Sequence, residues 1–139
     1  MYSSILLAID GSKNSIRATE EATKIASACE NAVITIIYVV DFAQSKNDVL
    51  HAQGKPAMEL ARRKKISPAE EYLQSKKINY KVSIVHGEPG PTIVDFANKN
   101  SYDLLIIGSR GLNSLQEMVL GSVSHKVVKR AKCPVLVVK

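Results

Sequence analysis

The stretch DLLIIGSRGLNSLQEMVLGSVS, residues 103–124, decides how this chain folds. It opens on a continuous apolar run, the pattern of a strand buried on both faces of a parallel sheet. Gly108, Gly111 and Gly121 then stand between that run and the next helical pattern. Glycine loses more backbone freedom on ordering than any other residue, so this density in a strand-to-helix connection implies a need for bare backbone. In open α/β sheets ligands lie beyond the carboxyl ends of strands, where the winding reverses, and the glycines follow such an end.

Apolar runs alternate with helical periodicities on either side of this stretch, which predicts a parallel sheet covered by helices on both faces. Upstream, SILLAI (4–9) is a first strand. Ser12 is placed to cap a helix running to about residue 30, with Ile16, Ala22, Ile25, Ala26 and Cys29 on its inward face. AVITIIYVV (32–40) is β-branched and unalternating, a central strand. Residues from Asp41 to about Lys55 are polar and weakly patterned, a long connection suited to function or flexibility.

Met58, Ala61, Ala69, Tyr72 and Leu73 then form a helical stripe interrupted by SPAE. Ser67 as a cap, Pro68 at a first helical position and Glu70 completing a capping box predict a break or bend near Ser67. YKVSIV (80–85) alternates, with Tyr80, Val82 and Ile84 on one face, as an edge strand does. After the turn HGEPGP, Pro91 opens a short helix to about Asn100, with Ile93, Val94 and Ala97 inward.

Downstream of the glycines, Ser122 or a neighbour caps a helix whose inward face carries Val123, Val127, Val128 and Ala131. Lys126, Lys129, Arg130 and Lys132 lie towards its C-terminal end, where cations favour the helix dipole. Cys133 and Pro134 end it and VLVV (135–138) closes the chain. An apolar strand with nothing after it to cover its edge predicts a homodimer through Val135–Val138.

With 139 residues, 45% hydrophobic and 23% charged, the chain is expected to form one soluble domain over 1–139. No apolar run approaches the roughly 20 residues of a membrane span, and MYSSILLAIDGS lacks a basic leader, so a cytoplasmic protein is expected. Cys29 and Cys133 show no C-x-x-C spacing and His51, His86 and His125 are scattered. That predicts two buried thiols rather than a disulfide or a zinc site. The net charge of +6 includes the run Arg62, Arg63, Lys64 and Lys65. Such a run raises a nucleic-acid or acidic-partner adaptor, but aromatics are only 5% with no Trp to stack bases. A solvated helix face is the reading adopted.

The glycine segment carries the chemistry. Bare backbone N–H groups, together with the unpaired amides and positive dipole end of the helix starting near Gly121, suit a diphosphate or triphosphate. The hydroxyls of Ser122 and Ser124 would add donors and Arg110 a counter-charge. Spacing alone leaves another set of roles open: Gly108 ending a strand, Gly111 making a turn and Gly121 allowing close packing. No Walker A loop occurs, and no G-x-G-x-x-G follows the first strand. That strand ends instead in AIDGS, where Asp10 would repel a phosphate but accept a ribose hydroxyl or hold Mg²⁺ against phosphates. The alternative role for Asp10 is an N-terminal cap.

LLAIDGS, the paired valines of IIYVVD, the central HGEP, and G-x2-G-x9-G-[ST] followed by VSHKVVKRAKCPVLVV together resemble the universal stress protein family, in its ATP-binding branch. The resemblance spans essentially the whole chain. It implies a Rossmann-like open sheet of five parallel strands in the order 3-2-1-4-5, dimerisation through the last strand, and ATP over the ends of the first, second and fourth strands. Carried over by position, Ala8, Ile9 and Asp10 match the ribose or metal side, and Val39 the residue whose backbone meets adenine. Gly108, Arg110, Gly111, Gly121, Ser122, Val123 and Ser124 match the phosphate segment. The family often has His before that valine; here it is Tyr38. His86 and Pro89 lie in a loop at the same end of the sheet, where two roles are open, an approach to the ligand or a turn, and a turn is the reading adopted. The expected function is a nucleotide-dependent regulatory module binding ATP with Mg²⁺ or Mn²⁺, with slow ATP hydrolysis or phosphoryl transfer as the enzymatic alternative. No residue is assigned as a catalytic base.

Overall fold

A computed structural model describes residues 1–41, 55–110 and 120–139, with side chains of the middle span from 59 onward. The long connection after the second strand and Gly111 lie outside the described residues.

The strands are β1 (Ser4–Ile9), β2 (Val33–Val40), β3 (Asn79–His86), β4 (Leu104–Gly108) and β5 (Val135–Val138). Between them run α1 (Lys13–Ala28), α2 (Lys55–Ser75), α3 (Pro89–Asn100) and α4 (Ser122–Arg130). The sheet order is β3-β2-β1-β4-β5 and every pairing is parallel, as expected. Alternate residues of the central strands serve two cores, because successive side chains point to opposite faces. Ile5, Leu7, Ile34, Ile36 and Ile106 meet Ala18, Ala22 and Ala26 of α1 and Leu73 of α2 on one face. Leu6, Ala8, Ile37, Leu105 and Ile107 meet Ile93 and Ala97 of α3 and Val127 of α4 on the other.

At its start the sheet is tied by Asp103. Its carboxylate accepts from the Ser3 amide at 3.0 Å, the Ser3 hydroxyl at 3.0 Å and the Ser4 amide at 2.9 Å. These hydrogen bonds, that from Ser4 foremost, favour the charged form and lower the Asp103 pKa.

Several expectations fail for identifiable reasons. α2 continues through Ser67 and Pro68 as one helix, so the break expected there does not occur. Ser67 does not cap: its hydroxyl donates back to the Arg63 carbonyl, and Glu70 accepts from the Tyr80 hydroxyl at 3.3 Å instead of completing a capping box. Ile16 and Val128, placed on the apolar faces of their helices, are exposed at 43% and 45%. In α1 the buried face consists of Asn14, Ser15, Ala18, Thr19, Ala22, Thr23 and Ala26. Both cysteines are only half-buried. Arg63 and Lys64 are exposed while Arg62 and Lys65 are half-buried, so the basic run winds around α2 rather than forming one flat face. Among the described residues no helix is long and apolar enough to cross a membrane.

Candidate functional site

From β1 the chain winds one way through β2 to β3, then crosses over to β4 and β5 on the other side. The connections leaving the carboxyl ends of β1 and β4 therefore run to opposite faces of the sheet, and between them opens a cavity of about 510 Å³. That size is in the usual range for a small-molecule site.

β1 delivers Ala8, Ile9 and Asp10 to its wall. Asp10 is not the cap of α1. Ser12 holds that position, its hydroxyl accepting from the Ser15 amide at 3.3 Å. The Asp10 carboxylate instead accepts from the Ser12 amide at 2.9 Å and the Ser15 hydroxyl at 2.7 Å. The same Ser15 oxygen accepts from the Asp10 amide at 2.8 Å, so one serine fixes both backbone and side chain of the aspartate. Gly11, between them, has φ +87°, which a side chain rarely tolerates.

β2 contributes Tyr38 and Val39, with Asp41 just beyond. From β4 and α4 come Gly108, Arg110, Gly121, Ser122, Val123 and Ser124. Gly121 is the N-cap of α4, in extended conformation, with no side-chain cap hydrogen bond. Its own amide donates to the Ser109 carbonyl at 2.8 Å, and its carbonyl accepts the first helical bond, from His125 at 2.9 Å. The amides of Ser122, Val123 and Ser124 thus precede the helical ladder, at the positive end of the dipole and at the cavity wall. The Ser124 hydroxyl, expected as a ligand donor, is turned to the Gly108 carbonyl, joining α4 to β4. Gly108 answers a packing need: a Cβ there would lie 2.8 Å from the Asn14 Cβ. The Asn14 amide nitrogen in turn donates to the Arg110 carbonyl at 3.1 Å.

The cavity therefore gathers every residue assigned to the site from sequence except Gly111, which lies outside the described residues. It also includes groups that sequence reasoning missed. Ser15, Asp41, Glu88, Gly90 and Lys126 line it, and Pro89 does so as the first residue of α3 rather than as a turn residue; His86 does not. Lys126 was read as a dipole-compensating cation at the far end of α4. It follows Ser122 by four residues, one helical turn, and that spacing was the available signal. Its ammonium lies 3.4 Å from the Glu88 carboxylate. Among the described residues no three His, Cys, Asp or Glu side chains cluster as a metal site.

An open parallel sheet in this order, with a cavity of mixed polar and apolar lining at its switch point, defines a Rossmann-like α/β protein. The chain belongs to the universal stress protein family, which matches it over residues 1–139. It is 33% identical to the universal stress protein YxiE of Bacillus subtilis, with all of both chains covered. Among solved structures it superposes on hypothetical protein MJ0577 with TM-score 0.85 and 29% identity, covering 100% of this chain and 96% of that one. A universal stress protein in complex with cAMP gives TM-score 0.71 and 27% identity, covering 99% and 97%.

Proposed function

We propose that the chain binds an adenine nucleotide, ATP, in the cavity at the end of β1 and β4, and acts as a nucleotide-dependent regulatory module. The observation carrying this reading is the convergence of the Ser122, Val123 and Ser124 amides at an α4 terminus with no side-chain cap. Such a terminus suits the charge and donor demand of a polyphosphate. Gly108, Arg110, Gly111 and Gly121 would complete the phosphate side. On the opposite wall, Asp10 with Ala8 and Ile9 would meet the ribose, and the Val39 backbone would meet adenine. The cAMP complex of a related protein supports an adenine ligand in this fold.

Mg²⁺ or Mn²⁺ would accompany ATP through Asp10 and the phosphates themselves, since such ions need only one or two protein carboxylates beside a polyphosphate. The ion would neutralise phosphate charge beside that carboxylate. Asp10 already accepts from Ser12 and Ser15, which suits holding a ligand better than activating a water. Binding is thus favoured over hydrolysis.

Calorimetry with ATP, AMP and cAMP tests this. Measurable ATP binding is expected, weakened at least tenfold by Gly121→Leu with the circular dichroism spectrum retained, and weakened by chelating the divalent ion. A flat titration of the unaltered protein overturns the reading.

A further inference from the structure

We propose that Glu88 and Lys126 form a competing ion pair at the cavity wall that sets how strongly the site discriminates among nucleotides by phosphate number. The inference rests on the nucleotide reading above and assigns specificity within that site.

Helical side chains lean towards the N-terminus of their own helix and cover the turn before them. Lys126, one turn after Ser122, therefore extends back towards the first turn of α4, where the unladdered amides would receive an anion. Its stem lies over Gly90 of α3. A Cβ on that glycine would be 3.0 Å from the Lys126 Cδ and 3.4 Å from its Cβ, so a larger residue there would crowd the lysine. The ammonium rests 3.4 Å from the Glu88 carboxylate, at the N-cap of α3. Glu88 makes no capping hydrogen bond with its side chain. Both residues line the cavity wall, and the Glu88 carboxylate engages the lysine rather than the amides of its own helix.

The pair is partly exposed, with side-chain accessibilities of 41% for Lys126 and 69% for Glu88. Exposed pairs contribute little to stability, so the lysine is readily surrendered to a better anion. A polyphosphate reaching past the first turn of α4 would take the ammonium from Glu88. A monophosphate, with its charge confined to the amides, would leave the pair closed. Glu88 then weakens polyphosphate binding twice, by holding the lysine and by repelling the anion, and Lys126 strengthens it.

The test measures ATP and AMP affinities by calorimetry at one fixed ionic strength, for the full chain and for Lys126→Met, Glu88→Gln and the double variant. Thermal melts check that all four are folded. Lys126→Met is expected to reduce ATP affinity about three- to tenfold and AMP affinity by less than about 1.5-fold, for a charge placed near the terminal phosphates in a solvated site. Glu88→Gln is expected to raise the ATP-to-AMP affinity ratio. The gain from Glu88→Gln should shrink when Lys126 is already Met, because competition for the lysine has gone. If the unaltered chain binds both nucleotides and the ratio moves less than twofold in either single variant, the inference fails alone. Strict additivity in the double variant likewise overturns the competing pair. If the unaltered chain binds neither nucleotide, the proposed function falls and this inference with it.

Discussion

Two residues show how a single atom position governs the frame around the site. Gly108 ends β4 against α1, and a methyl group there would meet not only the Asn14 Cβ at 2.8 Å but also its backbone carbon and oxygen at 3.1 and 3.2 Å. Backbone in a packed helix cannot rotate aside as a side-chain tip can. Gly108→Ala is therefore expected to destabilise the protein by about 1–3 kcal/mol, the usual range for overpacking. Chemical denaturation checks this, and because α1 also carries Ser15, the Asp10 geometry should loosen with it. Asp103 works at the opposite end of the sheet, holding the start of β1 through Ser3 and Ser4. Its pKa is lowered in the folded chain, so its contribution is fully present above the unfolded carboxylate value of about 3.9. The contribution is lost as pH falls through the lower folded value. Asp103→Asn should accordingly lower Tm near neutral pH, and the gap from the unaltered protein should close in acid. A Tm difference that stays constant from pH 7 to pH 3 would show that the charge of Asp103 has no part in the tie.

At the scale of elements, what was legible in the sequence followed from what the residues bury. β1 and β4 are apolar without alternation and are central, while β3 alternates and lies at the edge. In α1, Ala22, Ala26, Ile25 and Cys29 pack against the core as expected and only Ile16 does not, because buried polar residues that satisfy themselves fill the rest of the inward face. The Thr19 hydroxyl donates to the Ser15 carbonyl and the Thr23 hydroxyl to the Thr19 carbonyl, each at 2.8 Å. Hydroxyls bonded to their own helix pack as small apolar groups do, so a count of apolar positions picked Ile16 and overlooked them. The site was readable where it consists of glycines and helix-starting residues, whose backbone demands are local. Glu88 and Lys126 come from different helices and meet only through the fold, which no local spacing records. In α2, local signals at Ser67 and Pro68 pointed to a restart, but Ile66, Ala69 and Leu73 are buried at 4%, 5% and 0% and hold one continuous helix. Pro68 has no amide for the carbonyl one turn before it, so Pro68→Ala should stabilise α2. A gain of about 1–3 kcal/mol, seen as a raised Tm, is expected. A fall in Tm would mean that the proline's restriction of the unfolded chain outweighs the missing bond.

For the whole molecule, the open question of assembly turns on β5, whose four residues are all half-buried and whose one sheet neighbour among the described residues is β4. The carbonyls of Pro134 and Val138 accept from the Leu105 and Ser109 amides at 2.9 and 2.7 Å. In a parallel ladder the backbone groups of alternate residues point the same way, so Leu136 also faces β4. Val135 and Val137 therefore direct their amides and carbonyls away from the sheet. Among the described residues these groups have no sheet partner, and such an edge beside half-buried valines is one that a second copy would cover, so we propose a homodimer through Val135–Val138. Proline is tolerated on an edge strand where its missing amide faces outward. Val137→Pro should thus remove a donor from the interface while leaving the bonds to β4 in place. Sedimentation velocity is expected to show a dimer for the unaltered chain and a monomer for Val137→Pro, with matching circular dichroism spectra. If ATP occupancy is read out through this edge, the monomer should still bind ATP, because the cavity walls come from β1, β2, β4, α1, α3 and α4 of one chain. A dimer that survives Val137→Pro would place the contact on another surface, and an unaltered chain that sediments as a monomer would remove it altogether.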